Sequence, residues 1–451
     1  MALVHSAKRH TPHGGAAHGA VFTGDGGSPK DKTEAAAKPG DVVQSFYERM
    51  PYPAPLENLE RHLELYRNPQ RRRARFHLMF PAGNADDRQQ ILVAGCGTSQ
   101  AATVAVREAD AQVTAIDISG TSLRHAHALQ QKYVLKNLEL HRLSILDVGK
   151  LGRTFDQIIC TGVLHHLPDP DLGLQSLRNV LNRSGAMQIM VYARYGRAGI
   201  TMMQAYARLL GIAPSPQDLD DLGVTLDCLA KDHPLVALMH KVKDFRNPDS
   251  LADAILHPRD CVYTVPEIYQ WLERCGMSFG RWFEQAPYLP QCGALAKTPH
   301  SERLAALPER AQHAAAELFR GTITQHNFVA YRNDRRGAAP AICFAGEQWR
   351  DYVPIRLPWT ACIRERVPPD AAAVLLNPAH KHSDLVLPID EFESDLFRQI
   401  DGVRTLGEIA RVDLTTKNVP PALSFFQRLW RYDQIVFDVS RVRDTISTPV
   451  H

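Results

Sequence analysis

The sequence predicts an α/β protein: a doubly wound, seven-stranded sheet carrying a helical insertion, followed by a small α+β domain. Three observations predict it. Residues 87–335 alternate short apolar runs with stretches of helical periodicity, the pattern of βαβ units whose strands lie parallel. The first of those runs, Ile91-Leu92-Val93-Ala94, is apolar at every position, as suits a central strand buried on both faces. It ends in a glycine turn, Gly95-Cys96-Gly97, where a helical pattern starts, and such sheets build their ligand sites at these strand–turn–helix junctions.

The elements follow in order. Residues 1–40 are rich in Ala, Gly, His, Lys and Pro and lack apolar periodicity, so a disordered tail is expected. His5, His10, His13 and His18 read as part of that polar tail rather than as metal ligands. Val42, Val43, Phe46 and Tyr47 then fall at helical spacing, and the proline-rich stretch Pro51–Pro55 ends that helix. A second amphipathic stretch covers Leu56–Phe80. Strands are expected at Ile91–Ala94, Gln112–Ile116, Leu138–Arg142, Phe155–Cys160, Ala186–Tyr192, Met277–Glu284 and Gln325–Tyr331. The helical insertion lies between the fifth and sixth, at about 199–275. The main domain thus spans 41–336, and Gly337–Pro340 reads as a linker across which few contacts should pass. Residues 341–451 mix strand patterns with helices at Glu391–Ile400, Thr405–Val412 and Ala422–Arg431.

Composition narrows the function classes. The chain has 451 residues, 44% hydrophobic and 22% charged, which is ordinary for a globular protein with a sizeable core. A net charge of +3 is too mild to argue for nucleic acid or an anionic membrane. No apolar run is long enough to span a bilayer, and Met1–His10 does not resemble a secretory signal. The eight cysteines form no Cys-x-x-Cys pair, which fits reduced thiols in a cytoplasm. No metal site is expected, since neither His125 and His127 nor His380 and His382 has a carboxylate or cysteine at ligand spacing.

The glycine turn carries the chemistry. Gly95 allows a sharp turn, and Gly97 lets a ligand approach the main chain with no Cβ in the way. Thr98 or Ser99 is placed to cap the following helix. A dinucleotide site wants a third glycine where Gln100 stands, so the dehydrogenase fingerprint fails. A shorter turn suits a ligand without a pyrophosphate, such as an adenosine with an amino-acid tail. The second strand ends in Asp117, 20 residues after Gly97, at the spacing of an acid that accepts from both ribose hydroxyls. A helix cap before Ser119 is the competing role for Asp117. After the third strand, Asp147 can accept from an adenine amino group with Leu146 or Val148 against the ring; alternatively it opens the helix near Gly149.

These segments, with the run from Phe155 through Cys160, Thr161, Gly162, His165 and His166 to Pro170, resemble the class I S-adenosylmethionine-dependent methyltransferases, nearest the type 11/12 group. The resemblance covers about 41–333 and includes Phe46–Pro53. It implies a Rossmann-like sheet with Gln325–Tyr331 as an antiparallel seventh strand, S-adenosyl-L-methionine as cofactor and methyl transfer as the activity. The cofactor residues it implies are Ala94, Gly95, Cys96, Gly97, Asp117, Ile118, Leu146, Asp147, Thr161 and Gly162. Two departures stand out: the family often has an acid at the position of Ala94 and a glycine at that of Ser99.

His165 and His166 sit at the carboxyl end of the fourth strand, where ligands bind in such sheets. Histidine is the natural base for a hydroxyl, thiol or amine nucleophile near neutral pH, so His165 is the first candidate and His166 the second. The competing role for both is to hold the loop by packing. No Asn/Asp-Pro-Pro-Tyr/Phe motif of amino-methylating nucleic-acid and glutamine enzymes follows that strand, and no Pro-Cys pair of cytosine C5 enzymes occurs. Cys160 reads as a small buried residue. The resemblance implies that Phe46, Tyr47 and Tyr52 cover the cofactor and that Tyr192, Tyr195, Met202, Met203 and Tyr206 open a substrate lid; ordinary core and helix packing is the competing role for both sets. Three acceptor readings follow: a small molecule first; then a protein or peptide, clamped by a winged-helix-like C-terminal domain; then no acceptor, in a non-catalytic cofactor-binding module. The oligomeric state has no signature in the sequence.

Overall fold

The computed structural model describes residues 39–85, 89–240, 245, 247–335, 342–410 and 421–442, and side chains from residue 42 onward. The expected tail up to residue 38 and the linker Gly337–Pro340 lie outside the described residues. The central sheet is built from β1 (Gln90–Ala94), β2 (Gln112–Asp117), β3 (Leu138–Arg142), β4 (Phe155–Thr161), β5 (Leu181–Ala193), β7 (Met277–Trp282) and β8 (Gln325–Arg332), with β6 (Val262–Tyr263) as a two-residue addition beside β5. The order is β3-β2-β1-β4-β5-β8-β7. β1 to β5 pair in parallel, whereas β8 runs antiparallel to both of its neighbours, as the family resemblance implies.

Alternation along the strands decides which side chain meets which layer. Leu92 and Ala94 of β1 join Ile158, Cys160, Met187, Ile189 and Phe328 in one buried cluster. Ile91 and Val93 point the other way, into a cluster with Ala101, Val104, Ala105, Val113, Ala115 and Ala126. Small alanines dominate the second cluster because α4 (Gln100–Arg107) and α5 (Gly120–Lys132) lie close over the strands. Before β1 come α1 (Pro39–Arg49), α2 (Glu60–Tyr66) and α3 (Pro69–Met79); α6 (Pro170–Val180) joins β4 to β5.

The insertion is shorter than its sequence pattern suggests. Its helices α7 (Ala198–Leu210), α8 (Pro216–Asp227), α9 (Pro234–Met239) and α10 (Pro248–Ile255) bury Ile200, Met203, Leu222, Leu235 and Leu251 together with Phe46, in a core of their own. The next helix, α11 (Val265–Arg274), instead buries Val265, Ile268, Trp271 and Leu272 in the core of the sheet. It is the crossover to β7, so the insertion ends near residue 255 rather than 275. Helical periodicity marks both segments alike and does not say which core each one joins. α12 (Ser301–Ala305) and α13 (Glu309–Arg320) lead on to β8.

The C-terminal part contains β9 (Val353–Arg356), β10 (Ala361–Ile363), β11 (Ala373–Leu376), β12 (Val386–Ile389), α14 (Glu391–Arg398), α15 (Leu406–Ala410), α16 (Pro421–Arg431) and β13 (Ile435–Asp438). It buries a cluster of its own around Leu375, Leu396, Phe425, Phe426 and Phe437. The expected scarcity of contacts across 337–340 is not what the structure shows. Ile355, Leu357 and Val436 share one buried cluster with Ala74, Leu78, Met79, Ala186, Val329 and Tyr331. Val329 and Tyr331 alternate with Phe328 and Ala330, so β9, β13 and α3 cover the face of β8 that α6 and α11 leave open. Arg73 of α3 donates to Gly402 O and pairs with Asp438. A linker-like composition reports local chain stiffness and carries no information about packing on either side of it.

Candidate active site

The glycine turn and the end of β2 are tied together by one carboxylate. Gly95 and Gly97 take φ of +70° and +54°, which favour glycine. A Cβ on Gly95 would lie 2.4 Å from Val163 Cγ2, so this turn also has to lie against the loop after β4. Asp117 Oδ2 accepts from Gly97 N at 2.8 Å, and Oδ1 accepts from Ser119 N at 2.8 Å. Burial pushes the Asp117 carboxyl above its ordinary range, and the amides of Ser119, Gly97 and Ile118 oppose that.

The expected capping role of Thr98 and Ser99 is not realised. Ser99 occupies the cap position of α4 without bonding to the helix. Its Oγ accepts from Leu56 N at 2.9 Å, while Thr98 Oγ1 donates to Pro53 O at 2.8 Å. Both hydroxyls hold the 53–56 segment over the glycine turn, a contact between parts of the chain that no local spacing announces. Tyr47 and Glu48 extend this cover. Ser119 Oγ donates to Tyr47 O. Glu48 accepts from Gly120 N at 2.8 Å, Thr121 N at 3.0 Å, Thr121 Oγ1 at 2.7 Å and Arg142 Nη2 at 2.9 Å. Glu48 therefore caps α5 from another helix, and its carboxyl is held at about 2, chiefly by the Thr121 hydroxyl and the Gly120 amide.

A stability prediction follows. The folded Glu48 carboxyl titrates below its unfolded value, so its contribution is present above about pH 4.5 and is lost as pH falls toward about 2. Glu48→Ala is expected to cost about 1–2 kcal/mol at neutral pH, the range for a lost helix cap. Urea denaturation from pH 7 down to about pH 3 checks it: the gap between variant and wild type should narrow with acid.

On the far side of the turn, Gln100 Nε2 donates to Thr161 Oγ1 at 2.7 Å, so Thr161 and Gly162 lie beside the start of α4. Ala94, Cys96 and Cys160 are buried beneath them, and burial raises the Cys160 thiol to about 12, which suits a packing residue and not a nucleophile. Ile118 follows Asp117 at the rim, where its carbonyl accepts from Arg142 Nε. Leu146 and Asp147 lie on the 3-10 segment after β3; Leu146 is 42% exposed, and Asp147 pairs with Lys150 Nζ at 2.8 Å.

Beyond Gly162 the chain enters a buried polar cluster. His165 is fully buried, and neither ring nitrogen has a partner among the described residues. Its ring lies 4.1 Å from those of His166 and Tyr192. His166 Nδ1 donates to Arg259 O at 2.8 Å, and burial lowers its pKa to about 4. The insertion and the loop after it supply the rest. Asp253 Oδ1 accepts from Tyr47 Oη at 3.0 Å, and burial raises its carboxyl to about 7. The His257 ring lies 3.9 Å from that of His166, tilted by 37°, and burial lowers its pKa to about 3. Asp260 accepts from Arg197 at 3.1 Å and Gln204 at 2.9 Å, and the Arg197 guanidinium lies 3.5 Å from the Tyr192 ring centroid. The sequence reading singled out His165, His166, Tyr47 and Tyr192. It missed Asp253, His257, Arg259 and Asp260, about 90 residues away, because only the fold brings them together. Of the expected lid residues, Met203 is buried in the insertion core, whereas Met202 and Tyr206 are exposed.

Known proteins share this architecture. Residues 92–187 match a family model described as a methyltransferase domain. An uncharacterized protein from a Synechococcus strain is 31% identical over 258 residues, which span 54% of this chain and 61% of that protein. The structure of PKMT2 from Rickettsia typhi aligns over 83% of this chain and 76% of its own, with 15% identity and a TM-score of 0.54. The same protein in complex with AdoHcy gives 13% identity, a TM-score of 0.55 and the same coverage. Among the described residues, no helix is long and apolar enough to cross a membrane. Residues 92–187 thus match a methyltransferase domain, and the strand order with its antiparallel β8 gives the chain a fold that PKMT2 shares.

Proposed function

We propose that the chain transfers the methyl group of S-adenosylmethionine to a small-molecule acceptor held between the ends of β4 and β5 and the insertion. One observation carries the reading: the glycine turn, Asp117 and Thr161–Gly162 share one edge of the sheet, and the histidine cluster stands directly beyond it. Ala94 and the backbone of Gly95, Cys96 and Gly97 would take the amino-acid tail. Asp117, with Ile118 beside it, would accept from the ribose hydroxyls. Its oxygens accept from the Gly97 and Ser119 amides, and a carboxylate retains further lone-pair capacity for a hydroxyl. Leu146 would cover the adenine and Asp147 would accept from its amino group; an apolar residue left 42% exposed at that rim suits such a role. Thr161 and Gly162 would close the pocket next to the acceptor.

When bound, S-adenosylmethionine supplies a methyl group activated by its sulfonium. The protein aligns the acceptor, excludes water and receives a proton. His166 suits that last role better than His165. Its Nδ1–H is fixed on Arg259 O, which leaves the Nε2 lone pair free, and burial keeps the ring neutral. Enclosure favours a small acceptor: His165, His166, Asp253 and His257 are each at most 5% exposed. Methyl-labelled cofactor incubated with the protein and a bacterial extract tests the reading. Label is expected in the small-molecule fraction. Label confined to protein contradicts it, and cofactor binding without any transfer favours a non-catalytic module.

A further inference from the structure

Two histidines of the buried cluster are held in opposite tautomers by a single residue. Arg259 O accepts from His166 Nδ1–H at 2.8 Å, and Arg259 N donates to His257 Nδ1 at 3.1 Å. A neutral imidazole carries one proton. His166 therefore presents a lone pair at Nε2, and His257 presents an N–H at Nε2. That His257 nitrogen is buried and has no partner among the described residues. The rings lie 3.9 Å apart, and one nitrogen of each stands within 4.8 Å of the other and of an Asp253 carboxylate oxygen. A buried donor left unpaired costs about 1–3 kcal/mol, so this position calls for a ligand.

We propose that His166 and His257 form a hydroxyl-recognition site, and that the acceptor is an alcohol or phenol methylated on oxygen. This rests on the methyltransferase reading above. A hydroxyl meets every demand of the pair at once; a thiol has the same valences, but its sulfur is a weak acceptor for His257 Nε2–H. Its oxygen has two lone pairs: one accepts from His257 Nε2–H, and the other remains for the methyl group. Its proton points to His166 Nε2. An amine has a single lone pair, and bonding it to His257 withholds it from the methyl carbon. A carboxylate brings no proton for His166 and meets the carboxylates of Asp253 and Asp260. A divalent cation needs lone pairs from both rings, and Arg259 leaves only one. In the transfer, the acceptor oxygen forms the new O–C bond while the S–C bond breaks, and that bond's electron pair stays on sulfur, which becomes neutral. The hydroxyl proton passes to His166 Nε2, giving an imidazolium whose Nδ1 lies 3.9 Å from Asp260 Oδ1, which has no hydrogen-bond partner among the described residues.

Two measurements on the full chain decide it. The first needs no turnover. In 15N-histidine-labelled protein with AdoHcy, long-range 1H–15N spectra should show His166 protonated at Nδ1 and His257 at Nε2, the signals assigned by their loss in His166→Gln and His257→Gln. Both rings protonated at the same nitrogen, or either ring charged at neutral pH, overturns the proposal whatever the enzyme does. The second follows 13CH3 from labelled cofactor into the small-molecule fraction of an extract, where O-, N- and S-methyl groups resonate in separate windows. An O-methyl product is expected, formed roughly 10- to 100-fold more slowly by His257→Phe and largely restored in His257→Gln, which keeps an N–H donor. An N-methyl or S-methyl product overturns the hydroxyl assignment and leaves the methyltransferase reading standing. With no methyl transferred to anything, the methyltransferase reading fails and takes the acceptor assignment with it, even where the tautomers are as expected.

Discussion

A chain ending at Arg335 should fail to fold to a soluble, cooperative unit, although it retains the whole central sheet. Ile355, Leu357 and Val436 are at most 2% exposed and cover Leu78, Val329 and Tyr331. Three such side chains contribute about 1.5–3 kcal/mol each. The cut also removes Asp433, whose Oδ1 pairs with the buried Arg281 at 3.2 Å and whose Oδ2 accepts from Ala286 N at 2.9 Å. Stripping a buried ion of its partner costs about 3–5 kcal/mol. Together these losses match the whole stability of a typical domain, about 5–15 kcal/mol. Solubility, near-UV circular dichroism and dye binding to exposed apolar surface check it. A monomeric, cooperatively unfolding fragment that binds AdoHcy as the full chain does would show instead that the C-terminal part is an appendage.

Asp117→Ala should weaken cofactor binding by about 1.5–3 kcal/mol, the worth of hydrogen bonds to a charged group. The sequence alone suggests that folding is untouched, since a strand end is not core. The structure alters that expectation. Asp117 ties the Gly97 amide to the Ser119 amide, so the variant frees both and loosens the turn against which Val163 packs. A stability loss of about 1–3 kcal/mol is expected alongside the binding loss. Denaturation in saturating AdoHcy separates the two effects.

What could be read from the residues divides by distance along the chain. The strands were legible because a run such as Ile91–Ala94 is apolar on both faces and because glycine turns follow it closely. The glycine turn and its tie to Asp117 were legible for the same reason: Gly95, Gly97 and Asp117 lie within one βαβ unit, where spacing and geometry are nearly equivalent. The buried histidine cluster was not. His166 meets Arg259 and His257 only because α10 and the loop after it return to the ends of β4 and β5, and no periodicity encodes that return. Glu48 bonds the start of α5 in addition to its local cap Ser119, and Ser99 holds Leu56 instead of capping α4; both are long-range contacts that no local rule assigns. The insertion boundary was misplaced because α11 has the same amphipathic pattern as the helices before it, and only the core it enters tells them apart.

The central claim is that the edge of the sheet bearing Gly95, Gly97 and Asp117 binds S-adenosylmethionine. Calorimetric titration of the full chain and of Asp117→Ala with S-adenosylmethionine, AdoHcy and NAD tests it most directly. One S-adenosylmethionine or AdoHcy should bind per chain, roughly 10- to 100-fold more weakly in the variant, and NAD should not bind. Tight NAD binding without either sulfur ligand, or an AdoHcy affinity unchanged by Asp117→Ala, would contradict it.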